Sequence, residues 1–198
     1  MNPLSFSFVL KVGACFVAGA IPFAKVAMLG TGIDITRVGS KNPGFNNVLR
    51  VSTKPRAAVA LVGDIFKGLI ALALLAPAIP PEAKWIMGIA AVMGHCWSPF
   101  LGWNGGKGVA TTVGVMLFLQ PWLTLACIPL YPLGRFIGRR IGWRQEGAIS
   151  SVTTMTILAT AVFVLNGPRV GIYAYAMLAI VVIRHIPNFR EILGQPAQ

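Results

Sequence analysis

The chain has 198 residues, of which 56% are hydrophobic and only 11% are charged, whereas soluble domains carry about 25% charged residues. Its mean hydropathy is +0.73 and its formal net charge is +12 at pH 7. These values exclude a soluble globular protein. They predict an all-α, polytopic integral membrane helical bundle in which residues 1–198 form a single domain.

The apolar runs predict seven transmembrane helices, with about 20 residues as the length of one crossing. Gln120-Pro121 is expected to divide one long run into two helices, because proline lacks a backbone donor. The first run shows neither a basic leader nor a clear cleavage site, so we expect it to remain in the mature chain. The predicted helices cover about 4 to 29, 57 to 79, 83 to 98, 108 to 119, 121 to 137, 147 to 166 and 169 to 184.

The basic residues predict the orientation in the membrane, because cytoplasmic loops carry the excess of Lys and Arg. They are concentrated between the first two helices and after the fifth helix. The N-terminus is therefore expected outside and the C-terminus in the cytoplasm. The basic residues assigned to the cytoplasmic side are Arg37, Lys41, Arg50, Lys54, Arg56, Arg139, Arg140 and Arg144.

The cations are spread over short loops, which argues against a nucleic acid partner and favours anionic lipid head groups and phosphorylated substrates. The two histidines lie in separate segments and the chain has only five acidic residues, so no metal site is expected. Cys15, Cys96 and Cys127 lie in or beside predicted helices without CxxC spacing. We interpret them as small apolar packing residues.

The loop from about 30 to 56 contains "RVGSKNPGFNNVLR", which is rich in small polar side chains. Such a segment cannot lie in lipid unless protein or water satisfies its backbone groups. It is predicted to form a turn that lines a polar cavity, with an ordinary solvated loop as the alternative. The polar residues are Ser40, Asn42, Asn46 and Asn47, around Pro43 and Gly44.

Two charges lie inside the predicted second helix, in "GDIFKG". Asp64 and Lys67 are three residues apart, which places them on one helix face. Charged residues inside a membrane helix usually face a partner or a cavity. The pair is therefore predicted either to form a mutual ion pair that braces the bundle or to contact the substrate.

The stretch "GWNGGKGVATTVG" ends in the predicted fourth helix. It is not a Walker P-loop, because Leu101 and Gly108 occupy positions that require Gly and Ser or Thr. Gly105, Gly106 and Gly108 allow close approach of the backbone to an anion at a helix N-terminus, where Lys107 adds a full charge. A phosphate site at the membrane surface is predicted, and a flexible turn with a snorkelling lysine is the alternative.

The two histidines of the chain lie near predicted helix ends, in "MGHCWSPF" and "IRHIPNFREIL". His185 and Asn188 share a face if the helix continues through them. His95 stands alone in the first of these segments. Each histidine on its own is compatible with a structural or a functional role.

Together, "VGSKNPGFNNVLR", "DIFKG", "GHCWSPFLGWNGGKGVAT" and "RHIPNF" resemble, in order and spacing, the PlsY family of bacterial acyl-phosphate:glycerol-3-phosphate acyltransferases. The resemblance implies a seven-helix enzyme of the bacterial cytoplasmic (inner) membrane that works without a cofactor. It implies transfer of a fatty acyl group from acyl phosphate to the sn-1 hydroxyl of glycerol 3-phosphate, giving lysophosphatidic acid and phosphate. A soluble acyl-phosphate synthase and a lysophosphatidate acyltransferase are the implied upstream and downstream enzymes.

Position by position, the resemblance implies catalytic roles for Ser40, Arg50, Lys107 and His185. No carboxylate stands in a matching motif as a general base, so positioning and charge stabilisation are expected to dominate, with a substrate phosphate oxygen taking the hydroxyl proton. The residues implied to contact substrates are Asn42, Gly44, Asn47, Lys67, His95, Gly105, Gly106, Gly108 and Asn188.

Two motifs depart from the family pattern. The usual SGNxGATN reads "SKNPGFNN", with Lys41 for glycine, Phe45 for alanine and Asn46 for threonine. The usual RLLxGxE ending reads "EILGQPA", with Glu191 at the arginine position and no terminal glutamate. A paralogue with another acceptor is therefore one alternative. A transporter of a small phosphorylated anion is another, although we find no internal repeat of the kind such proteins show.

Overall fold

The computed structural model describes residues 6–194, and every regular element in that range is helical, which confirms the all-α prediction. The predicted start of the first helix near Leu4 and the end of the C-terminal motif lie outside the described residues. A short 3-10 turn, Pro99–Leu101, follows the fifth helix. The helices are α1 Phe6–Ala20, α2 Phe23–Ala27, α3 Phe45–Val51, α4 Lys54–Leu75, α5 Pro81–Cys96, α6 Val109–Leu119, α7 Pro121–Cys127, α8 Leu130–Arg140, α9 Glu146–Asn166 and α10 Pro168–Ile192.

Four helical segments within residues 6–194 are long and apolar enough to cross a membrane. They have 21 to 25 residues, which matches the roughly 20 residues that one crossing requires. Large apolar side chains such as Leu74 and Val164 are strongly exposed on them, as expected for surfaces that face lipid. The four segments are Phe6–Ala27, Lys54–Leu75, Glu146–Asn166 and Pro168–Ile192.

Proline explains two differences from the predicted helices. The first predicted helix is broken, because Pro22 has no backbone N–H to continue α1 and the chain restarts as α2. The predicted fifth helix is likewise divided into α7 and α8, on either side of Ile128 and Pro129. The predicted break at Gln120-Pro121 is confirmed, since α6 ends at Leu119.

The predicted end of the last helix near residue 184 is wrong, because α10 continues to Ile192 with Pro187 inside it. A proline inside a helix removes one backbone hydrogen bond but does not have to end the helix. The other unpredicted element is α3, which forms within the loop before α4. Both corrections affect segments that contain candidate site residues.

The chain divides into two compact units, one up to Leu119 and one from Gln120. In the first unit α1 packs on α4 and α5, while α4 packs on α2, α3 and α6. In the second unit α9 packs on α7, α8 and α10. The boundary coincides with the proline break after α6.

Glycines allow very close helix contacts in the first unit. A Cβ added to Gly19 of α1 would lie 1.9 Å from the Ala91 carbonyl oxygen of α5, and one on Gly94 would lie 2.0 Å from the Phe16 oxygen. Small residues let helix backbones approach in this way inside membranes. The contacts fix the end of α5, which is the helix that carries His95.

Candidate active site

Asn47 organises the segment between α2 and α4. Its side chain is buried, and its Oδ1 accepts a hydrogen bond of 2.8 Å from the backbone N–H of Ser40. Its Nδ2 donates to the carbonyl oxygens of Ile35 (3.1 Å) and Val38 (3.0 Å). One amide therefore fixes the backbone that precedes Ser40, and the segment is a folded turn and helix, not an open loop.

The other candidate polar residues of this segment are more accessible than Asn47. Ser40 and Arg50 are exposed, and Asn42 is half-buried beside Gly44. Lys41 has φ of 58°, a left-handed conformation that glycine adopts without a Cβ penalty. The glycine of the family motif therefore suits this backbone better than the lysine found here.

The Asn47→Asp variant is expected to unfold at a lower temperature than the wild type. The change replaces the two Nδ2 donors with a carboxylate oxygen that faces two carbonyl oxygens. Loss of satisfied partners for a buried polar group costs about 1–3 kcal/mol. Thermal unfolding of the purified protein in detergent measures the effect. The same change at exposed Asn46 is the control, and equal melting temperatures for the two variants would contradict the role of Asn47.

Asp34 is held within its own turn. Its carboxylate accepts hydrogen bonds from the Thr36 backbone N–H (3.0 Å) and hydroxyl (2.7 Å), and it pairs with Arg37 at 3.2 Å. The Thr36 hydrogen bonds hold the pKa of the Asp34 carboxyl below its usual value, and the Arg37 charge acts in the same direction. A lower pKa makes this carboxylate a weaker base.

A buried charged cluster joins α4 to α5. Lys67 Nζ lies 2.7 Å from Asp64 Oδ1 and 2.8 Å from His95 Nδ1, and His95 Nδ1 lies 3.5 Å from Asp64 Oδ1. The side chains of Asp64 and Lys67 are only 3% and 2% exposed. The predicted ion pair is therefore confirmed, and the structure adds His95 to it.

The same ammonium also reaches the end of α1. Lys67 Nζ donates to the carbonyl oxygen of Ile21 at 2.8 Å, where the last carbonyls of a helix lack helical partners. The carbonyl oxygen of Ala20, the residue before Ile21, accepts a second hydrogen bond, of 2.6 Å, from the Ser98 hydroxyl. The end of α1 is thus bound by α4 and by the segment after α5.

The glycine turn, residues 102–108, folds back against the end of α5. The backbone N–H groups of Gly105 and Gly106 donate to the carbonyl oxygens of Cys96 and His95, both at 3.1 Å. A Cβ on Gly105 would lie 2.0 Å from the His95 oxygen, and one on Gly106 would lie 2.2 Å from His95 Nε2. Neither position accommodates a side chain, which explains the paired glycines physically.

Lys107 follows these glycines directly and is half-buried, two residues before α6 begins at Val109. Gly108 has φ of 82°, which again favours glycine. The first backbone N–H groups of a helix have no helical acceptor and attract anions. The arrangement places a lysine charge at such a helix start, as the sequence predicted.

His185 and Asn188 belong to the second unit, on α10. His185 is buried, and its Nδ1 lies 2.8 Å from the Val181 carbonyl oxygen. Because a carbonyl only accepts, Nδ1 carries the proton, and in the neutral ring the lone pair is on Nε2. The helix continues through both residues, so they share a face as predicted.

Gln145 holds the C-terminal end of α10. Its Oε1 accepts a hydrogen bond of 2.7 Å from Asn188 Nδ2, and its Nε2 donates to Glu191 Oε2 at 2.5 Å. Gln145 precedes α9 with φ of 59°. Sequence reasoning missed this residue because no motif marks it. It also missed Ser98, although "WSPF" lies inside the most specific motif.

The predicted site residues thus fall into three groups. Ser40 and Asn47 lie together in the turn before α3, with Asn42, Gly44 and Arg50 in the same segment. Lys67 and His95 contact each other and adjoin the glycine turn. Asn188 and His185 lie on α10 in the second unit. The three cysteines, Cys15, Cys96 and Cys127, are all buried, as interpreted from the sequence.

Comparison with known proteins identifies the family. The profile described as glycerol-3-phosphate acyltransferase matches residues 9–195. The chain belongs to this family. Glycerol-3-phosphate acyltransferases of Chromobacterium violaceum and Thioalkalivibrio sulfidiphilus are 31% and 35% identical to it, and both alignments cover 93% of this chain. They cover 88% and 89% of those relatives.

Two solved structures have the same fold. The crystal structure of PlsY (YgiH), an integral membrane glycerol 3-phosphate acyltransferase, in its glycerol 3-phosphate form matches with a TM-score of 0.83 and 30% identity. Its lysophosphatidic acid form matches with a TM-score of 0.81 and 28% identity. Each match covers 96% of this chain and 94% of the other. The family resemblance found in the sequence motifs is therefore confirmed.

Proposed function

We propose that this protein transfers a fatty acyl group from acyl phosphate to the sn-1 hydroxyl of glycerol 3-phosphate. It is an acyltransferase that acts on glycerol 3-phosphate, by its family and its relatives. The observation that carries the choice of donor is Lys107, held between buried glycines at the start of α6. That arrangement suits a phosphate leaving group at the membrane surface.

The reaction exchanges one carbon–oxygen bond for another and moves one proton. The glycerol hydroxyl oxygen attacks the acyl carbonyl carbon, the carbon–oxygen bond to phosphate breaks, and lysophosphatidic acid and inorganic phosphate leave. A phosphate oxygen of the substrate takes the hydroxyl proton, so no protein carboxylate is required. Acyl phosphate is a mixed anhydride with a good leaving group, so orientation and charge stabilisation suffice.

Each group of residues has a proposed role in that reaction. Lys107 offsets the charge on the departing phosphate, with Gly105, Gly106 and Gly108 admitting it to the backbone. Ser40, Asn42 and Arg50 contact phosphate from the turn before α3, where Gly44 and Asn47 shape the backbone. His185 and Asn188 orient glycerol 3-phosphate, with His185 Nε2 as an acceptor for a hydroxyl.

The proposed setting is the bacterial inner membrane, with residues 1–198 acting as one enzyme domain. We propose seven crossings, an outside N-terminus and a cytoplasmic C-terminus. This orientation places most of the loop Lys and Arg residues on the cytoplasmic side. The crossings are supplied by α1 with α2, α4, α5, α6, α7 with α8, α9 and α10. The substrate and product require an upstream enzyme that forms acyl phosphate and a downstream one that acylates lysophosphatidate.

A donor competition assay tests the proposal. Purified protein in detergent receives palmitoyl phosphate or palmitoyl-coenzyme A, each with and without glycerol 3-phosphate, and phosphate and lysophosphatidic acid are measured together. Equal amounts of both products, only with palmitoyl phosphate and glycerol 3-phosphate, are expected. Product formation only with palmitoyl-coenzyme A would refute acyl phosphate as the donor. Turnover with a different polyol phosphate alone would refute the acceptor.

A further inference from the structure

We infer that Asp64, Lys67 and His95 form a positioning relay that holds the glycine turn and so determines where Lys107 stands. The family resemblance implies that Lys67 and His95 contact substrate. In the arrangement inferred here they instead act through the turn. The inference rests on the proposed function, in which the turn receives a phosphate group.

Lys67 is engaged by partners inside the protein and is buried away from the surface. An ammonium group has three N–H donors and no lone pair. Its Nζ lies 2.7 Å from Asp64 Oδ1, 2.8 Å from His95 Nδ1 and 2.8 Å from the Ile21 carbonyl oxygen. Two hydrogen bonds and one ion-pair contact therefore engage the ammonium inside the protein, on a side chain that is 2% exposed.

The contact with Lys67 also fixes the state of the His95 ring. Because the ammonium only donates, Nδ1 must accept, which places the ring proton on Nε2. Nε2 is the ring atom that faces the turn, since a Cβ on Gly106 would lie 2.2 Å from it. The ring edge therefore rests directly on the backbone of Gly106.

The backbone of His95 also holds the turn. The His95 carbonyl oxygen accepts the Gly106 N–H at 3.1 Å, and the Cys96 oxygen accepts the Gly105 N–H at the same distance. His95 therefore contacts Gly106 through both its ring and its backbone, so a shift of His95 displaces the turn. Lys107 is the next residue along the chain.

Asp64 keeps the relay charged. A buried ammonium without a counter-charge is strongly unfavourable, and Asp64 is the carboxylate at 2.7 Å. Asp64 and Lys67 lie on α4, His95 lies on α5, and Ile21 lies at the end of α1. The relay thus ties three elements of the first unit to the turn that carries Lys107.

A set of three variants tests the relay against direct substrate contact. The first is Asp64→Leu with Lys67→Met, which replaces a buried ion pair by apolar side chains and is often tolerated by the fold. The second is His95→Leu, and the third combines all three changes. The control is Lys84→Met, which removes the lysine on α5 that lies over the Phe118 ring at 6.0 Å.

Two readouts are measured on every variant in detergent. Steady-state kinetics give kcat and KM for glycerol 3-phosphate with palmitoyl phosphate. Hydrogen exchange by mass spectrometry follows the peptide that contains Gly105 and Gly106, whose N–H groups are hydrogen-bonded in the turn. Displacing a positioned group by about 1 Å costs on the order of 100-fold in rate, so kcat/KM should fall by about 10- to 100-fold.

The relay predicts that the first two variants both speed exchange at Gly105 and Gly106, and that the combined variant loses no more activity than the worse of them. Multiplied losses in the combined variant would instead indicate that Lys67 and His95 contact substrate separately, and would overturn the relay. A lower melting temperature with unchanged exchange in the turn would also overturn it, because the cluster would then only brace the helices. The Lys84→Met control should leave both readouts unchanged.

The exchange measurement does not depend on turnover. If the wild-type protein forms no lysophosphatidic acid, the proposed function fails, while faster exchange in the variants still supports the relay. If the wild type is active and exchange in the turn stays unchanged in every variant, the relay fails and the proposed function stands.

Discussion

Replacing Lys107 with alanine is expected to lower kcat/KM for glycerol 3-phosphate by about 100- to 1,000-fold, the loss typical of removing one group that stabilises developing charge. Lys107 lies two residues before the start of α6, between glycines that bring no charge of their own. Truncation of this half-buried side chain should lower the melting temperature by less than Gly105→Ala does, because it adds no atom against the backbone. Phosphate release and thermal unfolding, measured on the same preparation, test both parts.

Two further variants sharpen this result. Lys107→Arg keeps the charge but changes its shape and reach, so an intermediate loss of activity is expected. Lys84→Ala removes a lysine at the other end of α5 from His95 and should retain wild-type activity. Activity of Lys107→Ala within twofold of the wild type would show that this lysine does not stabilise the leaving phosphate.

Replacing Gly105 with alanine should disrupt the turn itself. The new Cβ would lie 2.0 Å from the His95 carbonyl oxygen and 2.9 Å from the Cys96 oxygen. Both are backbone atoms at the end of α5, so no side chain can rotate to make room. Overpacking of this kind costs about 1–3 kcal/mol, and the displaced Lys107 should also lower turnover. Melting temperature and activity are both expected to fall.

Gly13→Ala is the matched control for that change. Gly13 lies in α1, and a Cβ there meets no atom within 4 Å, so stability and activity should be kept. Gly106→Ala should be less destabilising than Gly105→Ala, because its obstacle is the His95 ring and not the backbone. A Gly105→Ala protein as stable and active as Gly13→Ala would contradict the geometry of the turn.

The long helices were predictable because membrane thickness sets their length. The predicted range from about 147 to 166 compares with Glu146–Asn166 in the structure. The break after Leu119 was also predictable, since the missing donor of Pro121 is a local property of one residue. The start of α6 beside Lys107 follows from the same kind of local reasoning.

The unpredicted elements depend on contacts between residues that are distant in sequence. The seven residues of α3 are too few to show a clear apolar period. The turn before this helix is held by the side chain of Asn47, which bonds backbone atoms as far as 12 residues away. Pro187 was expected to lie beyond the end of a helix, yet α10 continues through it. Short helices and tolerated prolines are therefore decided by tertiary contacts.

In the candidate site, too, local sequence predicts some features and tertiary contacts decide the others. The placement of Asp64 and Lys67 on one face follows from helix spacing alone, and an ion pair was one of the two alternatives predicted for them. The other two partners of Lys67 lie 28 and 46 residues from it in the chain, at His95 and Ile21. Only the packing of α1, α4 and α5 brings them together. The sequence therefore indicated which residues are polar within the membrane but not which atoms they bind.

The glycine contacts between helices restrict how this protein can evolve. A Cβ added at Gly19, Gly94 or Gly114 would lie 1.9 to 2.0 Å from a backbone carbonyl oxygen of the neighbouring helix, far inside van der Waals contact. Residues such as Leu74 and Val164 face outward and can exchange among apolar types at little cost. Divergence among descendants should therefore accumulate on the lipid-facing side of each helix, while these three positions stay fixed by geometry.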